Sequence, residues 1–281
     1  MWTRTLLTAL ACSIPVALLA STIHAAPSVE EPDTPAVAAA RAAIATCPEA
    51  GAPVTAVPPP PVGCDPTGPI VALGDSDTYG YGVTMVAYST PPPGAGPAVV
   101  QQLLGIPVVN AGVNGDTALS TLRPSTPGFG HRPAALQLPA LLALHPRLVI
   151  VGFGMAEAVY GVPIPTAAAD LDALLRALGD VPTVIVGSHV DCSAIRICRG
   201  GDGVRYTSAW DDQLRVVAAR HHSGLVLDVE AGLAAAGEMT DELHPTLRGY
   251  RVMAGRIAPV VGDRLAAASR GWRSGGRLLH S

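Results

Sequence analysis

Five short apolar runs, each parted from the next by a stretch of helical pattern, recur along this chain between Ile70 and Val229. They fall at Ile70–Gly74, Pro107–Asn110, Leu148–Phe153, Thr183–Gly187 and Leu225–Val229. Continuous runs of small and branched apolar residues, without polar alternation, are the pattern of strands buried on both faces of a parallel sheet. Helical stretches are expected at Pro97–Leu104, as a broken pair over Thr117–Leu144, and at Ala167–Leu178 and Ser208–His221. A last helix starts near Pro245, a residue suited to the first helical position, and runs to about Ala268. Strand–helix alternation of this kind implies an α/β fold with helices on both faces of one sheet.

The rest of the chain brackets that core. Arg4 followed by the apolar stretch Leu6 to Ala20, ending in small residues at Ala25-Ala26, reads as a secretory signal spanning residues 1–25. Export to the cell envelope or beyond is therefore expected, and no later stretch is long and apolar enough for a membrane span. Residues 26–68 form a Pro- and Ala-rich arm, residues 69–270 the folded domain, and residues 271–281 a flexible tail. Four cysteines remain after the signal: Cys47, Cys64, Cys192 and Cys198. An even number in an exported chain points to disulfides; nearest-neighbour pairing gives Cys47–Cys64 and Cys192–Cys198, one of three connectivities. Without a Cys-x-x-Cys or a close histidine pair, no metal site is expected. A net charge of −4 with dispersed arginines argues against a nucleic-acid partner.

Two stretches carry chemistry. The first strand runs into Gly74-Asp75-Ser76, which places a serine at the carboxyl edge of the sheet, where open α/β folds put their sites. Far downstream, Asp241-Glu242-Leu243-His244-Pro245 holds a carboxylate three residues before a histidine. A serine hydroxyl is a poor nucleophile until a base takes its proton, and imidazole, with a reference pKa of about 6.5, suits that task. A carboxylate behind the imidazole holds its tautomer and stabilises its cation. A tetrahedral oxyanion then needs aimed donors, each worth about 3–4 kcal/mol. Ser76, His244 and Asp241 are thus the candidate nucleophile, base and orienting acid.

These motifs resemble those of the GDSL esterases and lipases, or SGNH hydrolases. The first block reads Gly74-Asp75-Ser76-Asp77-Thr78-Tyr79-Gly80, with Asp77 where the family has an apolar residue. The second reads Val108-Val109-Asn110-Ala111-Gly112-Val113-Asn114-Gly115-Asp116-Thr117, and the last is Asp241-x-x-His244-Pro245. The likeness covers about Pro69 to Arg264. It implies a three-layer α/β/α sandwich on a five-stranded parallel sheet of flavodoxin-like order 2-1-3-4-5. It also implies hydrolysis of a small ester by Ser76, His244 and Asp241 through an acyl-enzyme, with no cofactor or metal and the single chain as working unit. The backbone amides of Ser76 and Gly115 would form the oxyanion hole. One block departs: Gly152-Phe153-Gly154-Met155-Ala156-Glu157 puts Ala156 where the family's oxyanion-hole Asn stands. That departure admits an alternative, a weakly active or non-catalytic envelope binding module on the same fold.

Overall fold

The computed structural model describes residues 68–83, 94–124, 132–191 and 205–275. The expected signal, nearly all of the arm and every cysteine, with both expected disulfides, lie outside them. In chain order the elements are β1 (Ile70–Gly74), α1 (Ser76–Tyr79), α2 (Gly96–Leu104), β2 (Val108–Gly112), α3 (Ala118–Leu122), α4 (Leu138–Leu142) and β3 (Leu148–Gly152). There follow α5 (Met155–Val159), α6 (Ile164–Leu178), β4 (Thr183–Val186), β5 (Val190–Asp191), β6 (Arg205–Tyr206), α7 (Ser208–Arg220), β7 (Gly224–Val226) and α8 (Leu247–Gly275). A turn of 3₁₀ helix at Ala134–Leu136 precedes α4. The last helix runs to Gly275, past the expected end near Ala268.

Five strands form one sheet in the order β2-β1-β3-β4-β7, each pair parallel. Counting sheet strands alone, this is the 2-1-3-4-5 order that the resemblance implies. β5 and β6 form a separate antiparallel pair, which periodicity could not announce in two-residue strands.

Successive residues of a strand point to opposite faces, and β1 shows what this does to the core. Val71 and Leu73 pack with α6 and α7 through Leu171, Leu174, Leu175, Trp210 and Leu214. Ile70 and Ala72 pack on the other side with α2 and α8 through Val99, Val100, Leu104, Tyr250, Ala254 and Val261. All four β1 side chains are 2% exposed or less, so each contributes close to its full burial free energy, about 1.5–3 kcal/mol for the larger ones.

The carboxyl edge of the sheet is shaped by glycine. Gly74 pairs in register with Gly112 on one side and Gly152 on the other, forming a row of three residues without side chains. A Cβ on Gly112 would overlap the backbone of Thr78 and Tyr79, and one on Gly74 would overlap Thr78 and the Gly152 carbonyl. The row makes the space in which α1, with Ser76 at its first position, sits directly on the sheet edge. Asn110 fixes it there: Nδ2 donates to the carbonyls of Thr78 (2.9 Å) and Tyr79 (3.3 Å), while Oδ1 accepts from Gly112 N.

Candidate active site

Ser76 opens α1 because Asp75 caps the helix, its Oδ1 accepting from Asp77 N at 3.1 Å. The other carboxyl oxygen accepts from Ala156 N at 3.3 Å and ties this turn to the start of α5. At the first position of a helix an N–H has no intrahelical acceptor. Among the described residues, no backbone carbonyl takes the Ser76 or the Gly115 N–H. Gly115 stands in the turn after β2, which Asp116 N closes on Val113 O at 3.0 Å. Its φ of +71° is a conformation glycine adopts without steric cost. Tyr160 Oη donates to the Gly115 carbonyl at 3.2 Å, holding the opposite side of that residue.

The histidine arrives on the loop before α8. Asp241 Oδ1 accepts from the backbone of Leu243 and His244, both at 2.7 Å, a local turn that brings the two side chains side by side. Thr240 clamps the same loop, its N and Oγ1 donating to the His244 carbonyl at 2.7 and 2.8 Å. His244 Nδ1 lies 2.8 Å from Asp241 Oδ2, and Nε2 lies 3.0 Å from Ser76 Oγ. The imidazole is 7% exposed, with the Tyr81 ring tilted against it at 4.5 Å. Ser76, His244 and Asp241, remote in sequence, thus meet in one hydroxyl–imidazole–carboxylate array. An imidazole so held can take the hydroxyl proton through one ring nitrogen while the carboxylate stabilises the charge on the other. Partial burial acts to raise the Asp241 pKa, but the hydrogen bonds from His244 and the two backbone amides outweigh it and hold the carboxyl below its usual range.

The third side of the site differs. The Ser76 hydroxyl lies 3.6 Å from Met155 Sδ, within reach of a weak hydrogen bond to sulfur. Ala156 follows with its methyl buried. Glu157, which could have opposed an oxyanion, turns to the backbone instead: its oxygens accept from Ala118 N at 2.8 Å and Gly154 N at 2.9 Å. Burial outweighs these bonds and pushes its pKa up to about 7. Asn114 places a buried Oδ1 without a hydrogen-bond partner among the described residues.

Carboxyl groups also line the floor. Asp75 is pushed up to about 8, by burial first and then by Glu157. Burial, then the charge of Glu230, raises Asp77 well above its usual range, and burial raises Glu230 as well. A residue that sequence reasoning did not single out, Arg132, holds the two strand ends together. Fully buried, it pairs with Asp116, donates through Nη1 to Ala111 O at 2.7 Å and reaches Gly74 O through Nη2 at 3.5 Å. Asp116 also accepts from Ser120 and Thr121. In the sequence Arg132 is one arginine before a proline, with nothing to mark it. Tyr81 and Glu230 carried no signal either; Met155 had one, its place beside the departing Ala156.

A three-layer α/β/α sandwich with a hydroxyl, an imidazole and a carboxylate aligned at the carboxyl edge of its sheet defines the class of this protein. The family model of the GDSL-like lipase/acylhydrolase family matches residues 72–252, and the chain belongs to that family. Among solved structures, it resembles the lipase/acylhydrolase from Enterococcus faecalis, with a TM-score of 0.53 at 19% identity over 69% of this chain and 95% of that one. It also resembles the psychrotrophic esterase EstA from Pseudoalteromonas sp., in a structure inhibited by monoethylphosphonate, with a TM-score of 0.52 at 16% identity over 70% and 97% of the two chains. At these identities the likeness speaks for the fold. Comparison with curated proteins gave no match.

Proposed function

We propose that this chain is a serine hydrolase of carboxylic esters, working through an acyl-enzyme. The observation that carries the reading is the unbroken line from Asp241 through His244 to Ser76, at 2.8 and 3.0 Å. Ser76 Oγ attacks the acyl carbon as its proton passes to His244 Nε2. The imidazolium, steadied by Asp241, returns that proton to the departing alcohol oxygen, and water, activated by the same imidazole, then releases the acid. The backbone N–H groups of Ser76 and Gly115 are the oxyanion donors in this reading. It needs residues of one chain only and no cofactor or metal. The signal-like start of the sequence supports export to the envelope or beyond.

Esterase and lipase chemistry in the names of the structural relatives agrees with this, as does the phosphonate inhibitor of EstA, since phosphonates mimic the tetrahedral intermediate of acyl transfer. One feature favours a second reading, a weakly active or non-catalytic binding module: Met155 and Ala156 occupy the place of a side-chain donor. Hydrolysis of p-nitrophenyl acetate by the purified chain separates the two. The hydrolase reading expects turnover with a pre-steady-state burst of p-nitrophenol when deacylation is slow. A protein with no turnover on short-chain esters would support the binding module instead.

A further inference from the structure

The turn that carries the nucleophile also carries an aromatic ring. Gly80, at a φ of +92°, ends α1, and the Ser76 carbonyl accepts from Gly80 N at 2.9 Å and from Tyr81 N at 3.0 Å. The Tyr81 carbonyl accepts in turn, at 2.9 Å, from the hydroxyl of Tyr250, a fully buried residue of α8, the helix that follows the histidine loop. Both backbone groups of Tyr81 are thus tied, one to the nucleophile and the other to the element behind the base. Its neighbour Gly82 packs so closely on the histidine loop that a Cβ there would meet Thr240 Oγ1 at 2.5 Å and His244 Cβ at 3.5 Å. The outcome is a Tyr81 ring whose centroid lies 4.5 Å from that of the His244 imidazole, the two planes inclined at 48°.

We propose that Tyr81 is a positioning residue for the base: its ring keeps the imidazole on line with Ser76 and stabilises the imidazolium formed as the hydroxyl loses its proton. The inference rests on the hydrolase reading above. In that reading His244 is charged only between the attack on the acyl carbon and the return of its proton. A cation as buried as this one gains little from water. Asp241 offsets the charge at one edge of the ring, yet its side chain is half-exposed and solvent screens it. The face of an aromatic ring is electron-rich and attracts a cation lying within about 6 Å of its centroid. Because that attraction exists only while the imidazole is charged, it lowers the barrier without tightening the binding of substrate. The same ring closes one face of the imidazole and restrains it from swinging off the line between Asp241 Oδ2 and Ser76 Oγ. The bonds made and broken in acyl transfer are unchanged by this assignment.

Substitutions at this one position, assayed with p-nitrophenyl acetate, test it. Tyr81 is half-buried beside the exposed Gly82, so an apolar replacement leaves the core intact. Tyr81→Phe keeps the ring and should hold kcat within about twofold of the wild type. Tyr81→Leu and Tyr81→Met keep an apolar side chain but lose the ring, and each should lower kcat about fivefold with KM little changed. Two ring-free variants are used so that one unstable protein does not decide the result, and thermal midpoints identify the folded one. A double-mutant cycle reads the link through the imidazole: once His244→Ala has removed the base, adding Tyr81→Leu should leave the residual turnover where it was. Ring-free variants as fast as the wild type, a Tyr81→Phe protein as slow as they are, or a loss that persists in the His244→Ala background would overturn the role of Tyr81 and leave the hydrolase standing. A wild-type protein that does not turn over the ester removes the hydrolase reading and this inference with it.

Discussion

The two sides of the active site share one backbone plan and differ in chemistry. On the β1–β2 side, strand ends in glycine register lead into two turns, one presenting Ser76 and the other Gly115, and both leave N–H groups free of backbone acceptors among the described residues. On the β3 side the strand also ends at a glycine in the same row, yet the turn beyond it delivers Met155 and Ala156, an apolar thioether and a methyl. The comparison teaches that the glycine row fixes where a turn can sit, while the side chains on that turn are free to change what it offers. Under the proposed mechanism, oxyanion stabilisation rests on backbone donors from one side.

Substitutions can break or sharpen that contrast. Ser76→Ala removes the nucleophile and should lower kcat for p-nitrophenyl acetate by about 10⁴ or more, leaving only what binding and backbone donors supply. Asp241→Asn keeps an oxygen for the Leu243 and His244 amides but presents the wrong partner to the imidazole. Steady-state kinetics should show kcat about 10²–10³ lower with KM little changed. Gly115→Ala forces a side chain into a φ of +71° and disturbs a donor on which the site leans, so a loss of about 10–10² in kcat is expected. Ala156→Asn runs the other way. If the β3 side lacks only a donor, kcat should rise about tenfold; an unchanged value would mean that Met155 already fills the space the donor would use.

The smallest effect concerns stability. Asp75 and Glu157, raised by burial to about 8 and about 7, bind protons in the folded protein that the unfolded chain releases near its ordinary carboxylate range. Their contribution is fully present below about pH 4 and is lost as pH rises through those folded values. The thermal midpoint should therefore fall by several degrees between about pH 6 and pH 9. Glu157→Gln should flatten that slope while lowering the midpoint itself, because an amide has one acceptor for the two backbone donors that Glu157 now satisfies.

Much of this was legible before the coordinates. The strand at Ile70–Gly74 is bounded as the apolar run suggested, because a strand buried on both faces writes itself as continuous hydrophobicity. The histidine loop could be paired with Ser76 because a short Asp-to-His spacing and a serine at a strand end are both local features. What stayed hidden depends on contacts between distant residues. Arg132 owes its role to two strand ends and Asp116, none of which its own neighbourhood reveals. The burial of Asp77, with the charge of Glu230 acting on it, joins across a long stretch of sequence two acids that look like surface residues on paper. The short β5–β6 pair has no periodicity to read.

The account stands on Ser76 being activated by His244. Labelling by a fluorophosphonate probe, with the modified peptide located by mass spectrometry, tests this directly. The account predicts a covalent adduct on Ser76 that is lost in His244→Ala, while a His244→Ala protein of unchanged thermal midpoint shows that the fold is intact. An inert wild-type protein across several such probes, or an adduct that forms as fast without His244, would contradict it.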